Sequence, residues 1–148
     1  MPDRRAYIRR ETAISAAINV GISMIFFLAL FRQFVSVPVW GGHGLIADCL
    51  PQGFMVGLMS VLPPGFITRA RIRRSKMQGC AATPRQLLFH GLVTGLGAML
   101  CLTALAAALA LISGAAHLAF WPGLLLKAAA GGIVATIATP LALRAQLK

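Results

Sequence analysis

Four stretches of this chain run long and apolar with at most one charged side chain in each, at about residues 13–34, 47–68, 86–113 and 121–143. Each has the roughly 20 mostly apolar residues that an α-helix needs to cross about 30 Å of hydrocarbon. The pattern predicts an all-α integral membrane protein, four transmembrane helices in a compact bundle that forms a single membrane domain. Within it, a first helical hairpin covers about residues 10–68, a basic loop about 69–85 and a second hairpin about 86–144.

Local signals sharpen the ends. Asp48 followed by Pro51 reads as a helix start, because a carboxylate caps free backbone N–H groups and proline is tolerated in a first turn. Pro63-Pro64 predicts a bend or a stop near the far end of the second helix, through lost hydrogen bonds and ring clash. Trp40 and Trp121 fall at one inferred boundary and Tyr7 at the other, where an aromatic ring stays in the interface with its polar tip wet.

Composition agrees with the pattern: 58% of residues are hydrophobic and only 11% charged, against about 25% charged in soluble domains. The net charge of +11 invites a nucleic-acid reading, but the positions of the cations exclude it. Arg4, Arg5, Arg9 and Arg10, then Arg69, Arg71, Arg73, Arg74, Lys76 and Arg85, then Arg144 and Lys148 all flank apolar segments. That is the positive-inside distribution. It predicts a multi-pass protein of a bacterial inner (cytoplasmic) membrane with both termini cytoplasmic, and the cluster Arg69, Arg71, Arg73, Arg74 and Lys76 facing anionic lipid headgroups. The same cluster is a candidate for recruiting a soluble partner. Arg4-Arg5 before an apolar run resembles a secretory leader, yet the run is long and residues 36–39 offer no small-x-small cleavage site, so an uncleaved helix is expected.

The two halves share a layout at an offset of about 75 residues: basic flank, long helix, short uncharged turn with a histidine, glycine-containing helix ending in arginine. Arg10 then matches Arg85, Gln52 matches Lys127, Gly57 matches Gly132 and Arg69 matches Arg144. Such copies would be parallel repeats, although biased composition alone supplies identities of this kind. Small residues at four-residue spacing mark where helices approach: Ala13, Ala17 and Gly21; Gly53 and Gly57; Gly91 and Gly95; Ala128, Gly132 and Thr136.

Candidate chemistry is sparse. Lys127 lies inside the fourth segment, and a cation there is a functional candidate by default. Asp48 or Gln52 is its natural partner, with snorkelling to the surface the alternative. Asn19 lies with Ser15 and Ser23 on one face of the first helix, either lining a solute path or bonding to a neighbouring helix or its own backbone. The possible polar site is therefore Lys127, Asp48, Gln52 and Asn19. His43, His90 and His117 lie at unlike depths or in loops, and Cys49, Cys80 and Cys101 are far apart, so no metal, haem or disulfide is expected. No phosphate loop, nucleophile elbow or carboxylate pair occurs, and no cofactor is expected. The expected function is non-enzymatic: a packing component, as a homo-oligomer or a subunit of a membrane complex. The alternative is a small solute transporter or channel.

Overall fold

The computed structural model describes residues 4–74 and 79–147. Its elements run α1 (Arg4–Phe31), β1 (Ser36–Pro38), α2 (Leu45–Arg73), α3 (Pro84–Ser113), β2 (His117–Ala119) and α4 (Phe120–Gln146). All four helices are long and apolar enough to cross a membrane, and the chain is a multi-pass helical bundle. Lys76, counted above in the basic cluster, lies outside the described residues.

Several boundaries differ from the sequence expectation, each for a physical reason. Charged flanks do not end helices, so α1 already begins at Arg4, and α2 carries through the basic run to Arg73, which moves the start of the loop from residue 69 to Arg74. Pro63-Pro64 does not stop α2 either. Asp48 is not a cap: the N-cap is Gly44, which makes no side-chain capping bond, and Asp48 stands inside the first turn with its N–H donating to the Gly44 carbonyl at 3.1 Å. By contrast α3 opens on a full capping box. The Thr83 hydroxyl accepts from Gln86 N at 3.2 Å, the Gln86 side chain accepts from Thr83 N at 2.9 Å, and Pro84 sits in the first turn, where its missing N–H has no cost. The helix ends at Gly114, which adopts φ +62°, a left-handed conformation that favours glycine.

The uncharged turns are more ordered than a loop reading allows. At the end of the bundle away from the termini, β1 and β2 pair antiparallel with Val37 opposite Leu118. Val39 N donates to Ala116 O at 3.0 Å and Phe120 N to Val35 O at 3.3 Å, lengthening this ribbon. An apolar plug of Phe27, Phe31, Val37, Leu45 and Leu124 lies beneath it.

Helices of the same hairpin are not the principal packing partners. α2 packs on α3, α1 on α4, and α2 meets α4 in the centre, so the two hairpins interlock. At an offset of 75 residues α1 corresponds to α3 and α2 to α4, and α1 on α4 is then the counterpart of α3 on α2. Gln52 Nε2 donates to the backbone carbonyl of Lys127, the residue it aligns with, at 3.3 Å. These two matched positions therefore meet where α2 and α4 cross.

Close approach depends on glycine at two crossings. A Cβ on Gly57 would lie 2.7 Å from Thr94 O and 2.8 Å from Gly95 Cα, and one on Gly131 would overlap Ser23 Oγ. The stripes expected on α2 and α3 are thus the ones in contact. On α1 and α4 the contact rows are largely different: Ala13 and Ala17 are exposed and Gly21 has open space, while Gly131 and Ala135 are the buried row on α4, and of the expected Ala128, Gly132 and Thr136 it is Gly132 where a Cβ would press on a neighbouring helix, 3.1 Å from Val20 Cγ2. Hydrocarbon accepts an outward alanine at no penalty but not an unpaired amide, so polar residues claim the interior of α1. Gly57→Leu is expected to destabilise the bundle by about 2–3 kcal/mol, read as an unfolding midpoint in detergent lowered by roughly 5 °C or more, with Gly21→Ala unchanged.

Candidate functional site: a buried polar seam

The interior row of α1 repeats every four residues: Tyr7, Glu11, Ser15, Asn19, Ser23, Phe27 and Phe31 are all buried. Facing it, α2 presents Asp48, Gln52, Ser60 and Thr68, and α4 presents Lys127 and Thr139. Together these form a seam of polar side chains along the bundle axis, in three stations.

The first lies near the ribbon. Lys127 stands roughly 10 Å along α4 from its start at 1.5 Å per residue, is 2% exposed, and does not snorkel. Its Nζ donates to Asp48 Oδ2 at 2.7 Å and lies 3.4 Å from Cys49 Sγ. Both charges are almost fully covered by protein, so removing either leaves the other unpaired in a medium that cannot solvate it. Asp48 Oδ1 has no hydrogen-bond partner among the described residues. Asp48 also lines a cleft of about 300 Å³ together with Phe31, Phe34, His43 and Pro51.

The middle station is built by a proline. Pro64 has no N–H, which leaves the Ser60 carbonyl without its helical donor. Thr139 of α4 supplies one, its Oγ1 lying 2.9 Å from Ser60 O. That carbonyl only accepts and a hydroxyl holds one proton, so the 2.9 Å contact of Thr139 Oγ1 with Ser15 Oγ is completed by the Ser15 proton. Asn19 Nδ2 donates to Ser15 O at 2.8 Å and approaches Ser60 Oγ at 3.4 Å. Three helices are thereby tied at one level. Asn19 Oδ1 and Ser23 Oγ have no partner among the described residues.

At the termini end the Tyr7 hydroxyl bonds Thr68 Oγ1 at 2.9 Å. Arg71 lies 4.9 Å from the Tyr7 ring centre and 4.0 Å from Glu11 Oε1. The Arg71 side chain is 41% exposed, so this ion pair adds little stability. Its effect is to turn one member of the basic cluster inward, while Arg73 and Arg74 stay exposed. A crevice of about 70 Å³ touches Glu11, Ser15, Asn19 and Pro64 beside this station.

Of the residues singled out from sequence, Lys127, Asp48 and Gln52 come together and Asn19 belongs to the separate middle station. Ser60, Thr68 and Thr139 went unnoticed. Asp48, Gln52, Ser60 and Thr68 fall at four- or eight-residue spacing, the same signal that exposed the row on α1. Cys49 is buried beside Lys127, whereas Cys80 and Cys101 are exposed and all three are free thiols.

Lys127→Met alone is expected to lower stability by about 3 kcal/mol, because it strands a buried carboxylate. The double variant Lys127→Met with Asp48→Leu should recover most of that loss, with thermal unfolding in detergent as the readout. Comparison with protein-family models, with curated proteins and with solved structures finds no match to this chain.

Proposed function

We propose that this chain is a small non-enzymatic component of a bacterial inner membrane, a four-helix unit that acts by packing, as a homo-oligomer or as a subunit of a larger membrane complex. One observation supports it best: the polar groups of the seam mostly bond across helices. Lys127 bonds to Asp48, Gln52 to the Lys127 carbonyl, Asn19 to Ser60, Thr139 to Ser60 and Ser15, and Tyr7 to Thr68. Interhelical polar bonds of this kind act as glue in a bilayer.

A second reading, passage of a small solute or proton, is favoured by a different observation. The seam has a cleft at Asp48 toward one end and a crevice at Glu11 and Asn19 toward the other. Asp48, Ser23 and Asn19 each keep a polar atom without a partner along the way, among the described residues. Purified full chain in vesicles separates the readings. Under the packing reading, Asp48→Asn and Asn19→Leu reduce the oligomer or co-purifying partner, and proton and cation flux measured by dye equals that of empty vesicles. Flux that appears with the wild type and vanishes in Asp48→Asn would replace packing with transport.

The positive-inside distribution supports a cytoplasmic location for the termini and for the loop between α2 and α3. Cys80 lies in that loop and is exposed. A membrane-impermeant maleimide applied to intact cells is therefore expected to leave Cys80 unmodified and to label it after permeabilisation; labelling of intact cells would reverse the orientation.

A further inference from the structure

The 75-residue correspondence between the halves fails to carry over in the packing of one helix pair. In the first half α1 and α2 enclose the crevice of about 70 Å³, lined among others by Glu11, Ser15, Asn19, Met59, Pro63 and Ile67. Shifted by 75 residues, those positions become Gln86, His90, Thr94, Val134, Ala138 and Ala142, and all six line a cavity between α3 and α4 of about 670 Å³. The enlargement is written in the side chains: Met59, Pro63 and Ile67 are replaced by the smaller Val134, Ala138 and Ala142. As a result α3 and α4 hardly touch. Gly97, on the facing α3 wall, has nothing within 4 Å of where a Cβ would stand.

This groove is apolar along most of its length and polar at its termini end. Gln146 lines it, is 3% exposed, and neither its Nε2 nor its Oε1 has a hydrogen-bond partner among the described residues. A buried amide with both ends unmet is costly where water is scarce. The Gln146 backbone carbonyl, in contrast, is used, accepting from Cys80 N at 2.9 Å and holding the loop over the groove mouth. His90 Nδ1 is engaged by the Gln86 carbonyl at 2.8 Å, which leaves the other ring nitrogen for an outside partner. Arg85 and Arg144, the residues before Gln86 and Ala145 of the lining, are exposed at this same end.

We infer that the groove between α3 and α4 is a binding site for an anionic phospholipid of the cytoplasmic leaflet, independent of which reading of the seam holds. One acyl chain lies along Val134, Ala138, Leu141 and Cys101, and the phosphate sits at the mouth, where the Gln146 amide offers an N–H and Arg85 and Arg144 offer charge, while His90 Nε2, an acceptor once Nδ1 donates to the Gln86 carbonyl, suits a headgroup hydroxyl. Three features select this occupant. The size falls within the roughly 300–1,000 Å³ typical of ligand pockets, the apolar wall lies at the depth of lipid tails, and basic pockets between helices on the cytoplasmic side match anionic headgroups. A neutral helix from a second copy would fill the wall but leave Gln146 and the two arginines unmatched.

The test uses full-length protein in mild detergent, exposed to dioleoyl phosphatidylglycerol or to dioleoyl phosphatidylcholine, with bound lipid counted by native mass spectrometry. The expected result is one phosphatidylglycerol per chain, held at least tenfold more tightly than phosphatidylcholine, about what two headgroup-facing arginines supply. Val134→Met with Ala142→Ile restores the first-half side chains, and Gly97→Phe fills the opposite wall; each should cut occupancy at least about fivefold, the order expected when the apolar seat of a tail is lost. Arg85→Gln with Arg144→Gln should keep the lipid but abolish the preference, and this pair remains informative if refilling the groove disturbs the fold. Equal retention of both lipids by the wild type, or equal retention by wild type and filled variants, would overturn the assignment. So would a dimer cross-linked through Cys101 that disappears in the filled variants, since a second copy would then be the occupant.

Discussion

Inside hydrocarbon there is no water to satisfy a polar group, and that single restriction organises this bundle. Each helix meets its own backbone needs except where proline interrupts the ladder, and at Pro64 the freed Ser60 carbonyl is met by Thr139 from another helix. The charged pair Lys127–Asp48 follows the same logic at higher stakes, since neither group can be left alone at 2% and 7% exposure. Apolar side chains are released from the interior, because lipid tails receive them as well as protein does. Hence the inversion seen on α1, where serines and asparagine face in and alanines face out.

The seam lies where α1, α2 and α4 come together. There α2 meets α4 in the centre of the bundle, and the Gln52 side chain bonds the backbone carbonyl of Lys127. Across the same crossing a carboxylate, Asp48, stands against an ammonium, Lys127, and the second half opens where the first half is filled. Small residues on α4 therefore have two consequences: Gly131 lets α1 come close on one side, and Ala138 and Ala142 leave α3 standing off on the other.

Much of the architecture is legible without coordinates because the bilayer has so few solutions to offer. Four apolar stretches of spanning length and cations confined to their flanks leave a four-helix multi-pass protein as the economical outcome, and Lys127 stands out as a cation among apolar neighbours. The helix ends were less legible, since Arg69, Arg71 and Arg73 continue a helix as readily as they form a loop. Thr139 and Ser60 were not legible as site residues: a threonine or serine in a membrane helix carries no mark of whether it bonds its own carbonyl, as Thr136 does with Ile133 at 2.8 Å, or another helix.

The sequence by itself therefore determines the solvent of this protein and the number of crossings, because length, apolarity and charge placement are properties of each segment alone. Only the tertiary structure decides which helix packs on which, that α1 turns its polar row inward, that Lys127 reaches Asp48 rather than the surface, and that α3 and α4 stand apart around Gln146. Those outcomes depend on the relative rotation and separation of helices, which are set jointly by glycine contacts and by the demand that buried polar atoms find partners, and no single segment contains either.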